Sequence, residues 1–348
     1  MHSLDEHLDK RLPLTHRLVR SVGRLREFRG KEELYRQQMP ETLETLKQAA
    51  IIQSTESSNR IEGVTAPLER IRALIEKKTT PRDRSEQEIA GYREVLDVIH
   101  NNHNAMPLSS GLVLQLHREL FKFTDDQGGR WKSSRNRITQ FSADGTQQVR
   151  FEPPAPHLVD SLMQTLHQSL DAFRSHSDVE PLFVIAAYVL DFLCIHPFRD
   201  GNGRMARLLT LLLLYQAGYE VGRFISLEKI IENSKESYYD TLYRSSQGWH
   251  SGAHDLTPWT EYLLGTIVAA YNEFAGRVDI LTKSRGAKTD LIQTAITSMF
   301  GEFTVQDLSA KCPTAGIDMI RRILNEQKRL GNVECLGRGR NARWRRIR

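Results

Sequence analysis

The stretch His196-Pro-Phe-Arg-Asp-Gly-Asn-Gly-Arg-Met-Ala-Arg207 decides how the rest of the chain reads. It sets an imidazole, a carboxylate, a Gly-Asn-Gly turn and two helix-spaced arginines between apolar runs at 183–195 and 208–214. Each part has a use for phosphate. The residues from Gly203 onward read as a helix, and the free N–H groups at a helix N-terminus attract anions. Gly201 and Gly203 let the backbone approach closely, with Asn202 between them. Arg204 and Arg207 lie one turn apart and can donate charge-assisted hydrogen bonds to phosphate oxygens. Asp200 stands at the mouth of this nest, suited to holding Mg²⁺ against phosphates. His196 titrates near neutrality and can take a proton from an attacking hydroxyl. Taken singly, a tight turn, a structural histidine and solvated arginines explain the same residues. Their order and compactness point to phosphate chemistry.

The remaining composition bounds that reading. A length of 348 residues allows two or three domains, and 39% hydrophobic with 26% charged residues suits a soluble globular protein. The longest apolar run, around 207–215, is too short to span a bilayer, so no membrane partner is expected. Residues 1–14 are charged and lack the apolar core of a secretory signal. Cys194, Cys312 and Cys335 are widely spaced, which argues against a disulfide scaffold or zinc site and fits a cytoplasmic location. The net charge of +5 is uneven: Arg338, Arg340, Arg343, Arg345, Arg346 and Arg348 crowd the end of the chain. Such a tail can be a solvated end or can touch nucleic acid.

Along the chain, residues 4–46 are charged and broken by Pro13, Gly23, Gly30 and Pro40, which predicts a loosely helical arm. A helix is expected from Glu41 to about Ser57, with Gly63 as a stop and Pro67 opening the next helix. Ile89, Tyr92, Val95, Leu96 and Ile99 form a 3.6-residue stripe, and 112–123 is a second amphipathic helix. Two short β-like pieces, 136–140 and 148–151, flank Ala143-Asp144-Gly145, a hairpin signal. Helices are expected at 157–173, 181–195, 203–217, 227–246 and 257–278, then a polar linker at 282–288. Three short helices (290–300, 304–311, 317–330) and a final hairpin around Gly337 give a winged-helix pattern.

The run from His196 to Arg207 resembles the signature of the Fic-domain family, HxFx(D/E)GNGRxxR, at every specified position. The resemblance extends over roughly residues 41–278. It implies an all-helical enzyme that binds ATP and Mg²⁺ and transfers AMP to a protein hydroxyl. By that likeness His196 is the catalytic base, Phe198 anchors the loop and Asp200 positions the metal. Gly201, Asn202, Gly203, Arg204 and Arg207 hold the triphosphate, and Tyr239 meets the base or ribose. The hairpin becomes a flap that clamps the target segment. Its approach, Gly129-Arg-Trp-Lys132, carries lysine where relatives often have arginine, which loses the bidentate fork.

Ser58-x-x-x-Glu62-Gly63 resembles the family's inhibitory motif, (S/T)xxxE(G/N). A carboxylate there could pair with Arg207 and misplace the terminal phosphate; some relatives use it to remove AMP. The expected fold is mainly α: a Fic-type helical bundle with an inserted β-hairpin flap, plus a C-terminal winged-helix-like domain. The domain reading is 1–110 with the inhibitory motif 58–63, then 111–280 with flap 129–154 and loop 196–207, then 289–348. The candidate partners are the target protein, a second copy in a homodimer, and DNA through the C-terminal domain. A rival reading makes the chain a DNA-binding regulator, with 317–330 as recognition helix and the arginine tail on phosphates.

Overall fold

The computed structural model describes residues 2–347 apart from 6, 39, 127, 142–146, 177, 283–286, 298, 300, 313, 314 and 338–341. The turn expected at Ala143-Asp144-Gly145 lies outside these residues, as do the centre of the linker and the tip of the last hairpin. The chain forms two compact units, residues 1–26 with 47–271 and residues 27–46 with 272–348.

In chain order the helices begin with α1 (Leu8–Arg11), α2 (His16–Gln38) and α3 (Pro40–Ile61). The expected breaks at Gly23 and Gly30 do not occur. Both glycines sit inside α2 with open space around them, and a helical glycine costs only about 1 kcal/mol. Leu18 and Leu25, one heptad apart, are fully buried. Helix α3 runs past Ser57 to Ile61 and stops as Gly63 predicts. Gly63 adopts φ +82°, Val64 N–H bonds the Asn59 carbonyl and Gly63 N–H bonds that of Arg60. This Schellman arrangement fixes Glu62 as the last residue of the turn.

Next come α4 (Leu68–Ile75), α5 (Arg84–Asn102), α6 (Ser110–Leu120), the antiparallel pair β1 (Ile138–Phe141) and β2 (Gln147–Phe151), and α7 (Val159–His176). Helix α5 is capped by Asp83 and buries the predicted stripe. Gly91 lets α5 touch α6: a Cβ there would lie 2.0 Å from the Leu120 carbonyl. The centre of the unit is α8 (Pro181–Ile195) and α9 (Asn202–Gln216), each buried almost all round, as helices without a polar face must be. Helix α8 packs on α7 and α9, and α5 packs on α9. Thus the His196–Arg207 run connects the two most buried helices. The single helix expected at 227–246 is two, α10 (Leu227–Asn233) and α11 (Lys235–Ser246), separated at Ser234, whose hydroxyl bonds the Ile230 carbonyl. Helix α12 (Thr257–Thr282) follows.

In the second unit α13 (Ala287–Thr297) leads to β3 (Glu302–Thr304), α14 (Val305–Lys311), α15 (Ile317–Arg329), β4 (Val333–Cys335) and β5 (Arg343–Arg346). The strands form an antiparallel sheet in the order β3-β5-β4. The stripe Ile320, Ile323 and Leu324 joins Ile292, Phe303, Leu308 and Trp344 in one core. Strand β3 was not expected; three residues are too short for an alternation to register. The exposed face of α15 mixes charges, with Asp318 3.5 Å from Arg321. On β5, Arg343 and Arg345 pair with Glu302 and Glu334. Two arginines of the tail are therefore matched by carboxylates, which offers the DNA-binding alternative no support. No described helix is long and apolar enough to cross a membrane.

Candidate active site

Helix α8 ends because His196 turns into the left-handed region, φ 48° and ψ 61°, and Pro197 cannot continue it. A non-glycine residue there stores about 1–3 kcal/mol of strain, so the surroundings must hold it. They do so through the loop that follows. Phe198 is fully buried and stacks on His117 of α6 at 3.6 Å between ring centroids. Asn202 closes the loop on that same residue: its Oδ1 accepts from Phe198 N–H and its Nδ2 donates to the Phe198 carbonyl, both at 2.9 Å. Gly201 sits at φ +79°, where a Cβ would lie 2.9 Å from the Phe121 ring.

His117 braces the loop from below. Its Nδ1 accepts from Gly129 N–H at 2.8 Å, which leaves Nε2–H to donate to the Asp200 carbonyl at 3.1 Å. Burial pushes its pKa down to about 4, so the ring is neutral and the assignment is self-consistent. The sequence reading missed His117. Its place on the apolar stripe Val113, Leu116, His117, Leu120 was a visible signal.

His196 lies with its ring half-buried. The Leu193 carbonyl can only accept, so the 3.3 Å contact makes Nδ1 the protonated nitrogen and leaves the Nε2 lone pair free. Burial lowers its pKa to about 4; the Leu193 bond and nearby Glu62 and Asp200 pull the other way, and Lys132 adds to the lowering. A base with so low a pKa is unprotonated through the neutral range. If His196 is the base, kcat/KM at pH 5.5 should lie close to its value at pH 7.5. An ordinary histidine, with a pKa of about 6.5, would lose about tenfold over that interval. A pH–rate profile of an active variant reads the difference.

The arginines divide. Arg204 is fully buried and donates to Glu88 of α5, with Asn59 Oδ1 at 3.5 Å and its guanidinium over the Phe121 ring. Its Nη1 ties the loop to α3 and α5; the sequence reading assigned this arginine to phosphate. Glu88 and Asn59 were not anticipated, although Glu88 directly precedes the α5 stripe. Arg207 is also buried, but it faces a cavity. Its Nε donates to Ser58 Oγ at 2.8 Å, and its Nη2 to the Ser58 carbonyl at 2.9 Å and to Glu62 Oε1 at 2.8 Å. Its Nη1 is buried without a hydrogen-bond partner among the described residues. Burial disfavours its charge, yet Glu62 and neighbouring tyrosines hold its pKa above the ordinary value.

Glu62 does more than touch Arg207. A Cβ on Gly203 would lie 2.2 Å from Glu62 Oε1, so the carboxylate rests directly on the first turn of α9. That helix has no side-chain cap. The carboxylate sits where the exposed N–H groups and helix dipole favour an anion. Around it lies a cavity of about 310 Å³ lined by Glu62, His196, Gly203, Arg207, Arg150 of β2, Tyr238, Tyr239 and Tyr243, with an apolar floor of Leu190, Leu193 and Cys194. Tyr238 packs in the core on Trp259; Tyr239 is on the rim and accepts from Arg150 at its carbonyl. Arg150, which also lies over the Tyr243 ring, was not expected here.

Asp200 stands apart from that cavity with a side chain 59% exposed, its Oδ1 bonded to Gly201 N–H at 2.5 Å and 3.6 Å from Arg204. Among the described residues no three His, Cys, Asp or Glu side chains converge as a self-sufficient metal centre. Mg²⁺ commonly takes one or two carboxylates and completes its shell with substrate phosphates and water. A single exposed aspartate beside an anion-favouring helix end fits that donor set.

Comparison with known proteins finds one family that this part of the chain resembles. The model described as the Fic/DOC family matches residues 107–214, which span the start of α6 through most of α9. The chain is 26% identical over 222 residues to a protein adenylyltransferase Fic of Nematostella vectensis, covering 62% of this chain and 46% of that protein. With the enzyme of the same name from Culex quinquefasciatus it shares 28% over 229 residues, 64% and 41% of the two chains. The chain thus spans less than half the length of these relatives. A crystal structure of a Fic family protein from Desulfovibrio desulfuricans superposes with a TM-score of 0.62 at 24% identity, covering 96% of this chain and 97% of that one. Caenorhabditis elegans Fic-1 superposes over 75% of this chain and 72% of its own, with a TM-score of 0.55 at 20% identity.

Proposed function

We propose, from the Fic/DOC-family domain that residues 107–214 form, that the chain transfers AMP from ATP to a Tyr, Thr or Ser hydroxyl of a target protein, and to itself, and that Glu62 restrains it. The observation that carries the reading is the meeting of His196, the α9 N-terminus and Arg207 around one cavity, with Glu62 lying on the last two.

The hydroxyl oxygen attacks the α-phosphorus of ATP and the bond from that phosphorus to the bridging oxygen breaks. His196 Nε2 takes the hydroxyl proton, and pyrophosphate leaves. The first turn of α9 stabilises charge on the phosphates, and the unpartnered Nη1 of Arg207 is a donor for the terminal ones. Asp200 would hold Mg²⁺, which when bound neutralises phosphate charge. Tyr239 and the apolar floor provide a surface for the nucleoside, and β1 and β2 flank the cavity on the side from which a target segment enters. With Glu62 on Gly203 and Arg207, the terminal phosphate loses its seat, which is the basis of the restraint. The same carboxylate, close to His196, also suits activation of water for the removal of AMP. A role of residues 289–348 as a winged-helix module that binds a protein partner is consistent with their helix and strand order.

The test is the origin of the label. ATP labelled at the α-phosphorus should mark protein and ATP labelled at the γ-phosphorus should not. Transfer of the γ-label would make the chain a phosphotransferase and overturn the reading.

A further inference from the structure

Three main-chain carbonyls around the strained His196 are held by two residues of the segment leading into β1, two of them by side chains and one by a main-chain N–H. Lys132 is almost completely buried. Its main-chain N–H donates to the Pro197 carbonyl at 2.8 Å, and its Nζ to the Ile195 carbonyl at 3.2 Å and to Asn136 Oδ1 at 2.9 Å. With its Oδ1 filled, Asn136 presents Nδ2 to the Phe198 carbonyl at 3.1 Å. Residues 195, 197 and 198 bracket the left-handed His196, so this pair encloses the one backbone position in the loop that costs strain to keep.

Among the described residues Lys132 has no carboxylate partner. A lysine bonded only to neutral acceptors and buried is expensive, and burial pushes its pKa down to about 8. A side chain bearing that cost without an ion pair is retained for what it holds in place. A bare apolar residue would fill the volume at lower cost but would leave the Ile195 carbonyl and Asn136 Oδ1 without their donor.

We infer that Lys132 and Asn136 are positioning residues that lock His196 in its left-handed conformation and tie the base of the flap to the base of the reaction. The inference rests on the AMP-transfer reading for its kinetic consequence but not for its structural one. Tension or order at β1 passes through Asn136, Lys132 and the Ile195 and Phe198 carbonyls to the imidazole. The flap and the base are then set together. Lys132 is not among the residues that line the cavity at Glu62 and Arg207; it acts through His196.

The experiment compares Lys132→Met and Lys132→Arg, each combined with Glu62→Gly in the full chain, against Glu62→Gly alone. Lys132→Met should lower kcat on the order of 10- to 100-fold, as expected for a misplaced catalytic group, with KM for ATP within about twofold. Lys132→Arg, which keeps the donors, should recover most of the loss. Hydrogen exchange supplies a readout independent of the reaction. The Phe198 amide, bonded to Asn202, should exchange faster in Lys132→Met and as in the parent in Lys132→Arg. Parent-like exchange and parent-like kcat in Lys132→Met would overturn the inference. Unchanged Phe198 exchange alone is enough to reject the lock if the parent shows no AMP transfer, so failure of the reaction assignment and failure of the lock are separable. Parallel increases of KM and loss of thermal stability in both variants would likewise reject it in favour of general packing.

Discussion

Glu62→Gly should raise the initial rate of AMP transfer roughly 10- to 150-fold, the span that corresponds to a charge-assisted hydrogen bond of about 1.5–3 kcal/mol. The Glu62 carboxylate is 2.8 Å from Arg207 Nη2 and overlies the first turn of α9. An incoming terminal phosphate must displace it from both. Glu62 is anchored by the α3 end: its N–H and that of Val64 bond the Asn59 carbonyl, Lys235 Nζ bonds the Ile61 carbonyl at 2.7 Å, and Glu232 accepts from Ser57 and Arg60. These bonds fix the backbone that carries the carboxylate, so it leaves Arg207 by rotation of its own side chain. Glycine removes it while leaving the Schellman bonds, which are main-chain, in place. Glu62→Gln keeps a hydrogen bond from Arg207 to a neutral amide oxygen and loses the ion pair, so it should release only part of the restraint. The measurement is the rate of α-label incorporation at saturating ATP. Equal rates for wild type and Glu62→Gly remove the inhibitory role.

His196→Ala in the Glu62→Gly background should abolish labelling, a loss of about 10²–10⁴-fold for a missing general base, while ATP binding by calorimetry survives. The phosphate contacts proposed for Arg207 and the α9 N-terminus do not involve the imidazole. Alanine at φ 48° is itself strained, so a second variant separates chemistry from backbone. Asparagine enters the left-handed region more readily than alanine, keeps a polar side chain and cannot act as a base near neutrality. His196→Asn should fold with at least the stability of His196→Ala and be as inactive. If either variant retains labelling, the proton goes elsewhere and the assignment of the base is wrong.

Much of this site is legible in local sequence because it is built locally. The Gly-Asn-Gly turn, the buried Phe198 and the helix that starts at Asn202 follow from twelve consecutive residues. Gly63 as a helix stop is equally local, and it carried the placement of Glu62 with it. What could not be read is where side chains go once distant helices meet. Arg204 and Arg207 are equivalent by spacing, but α5 brings Glu88 to one and α3 brings Ser58 and Glu62 to the other. Lys132 looks like a flap residue in sequence, and it points inward to Ile195 because the chain from α6 passes beneath the loop. The continuity of α2 through two glycines reflects tertiary burial of Leu18 and Leu25 outweighing a propensity cost of about 1 kcal/mol each. The split between α10 and α11 depends on a serine hydroxyl bonding back to the preceding turn, which no periodicity reveals.

The most direct test is the intact mass of the Glu62→Gly protein after incubation with ATP and Mg²⁺, alongside the same protein carrying His196→Ala. The account predicts a gain of one or more AMP groups in the first and none in the second. No gain in Glu62→Gly with or without a hydroxyl-bearing target, or the same gain in both proteins, would contradict it.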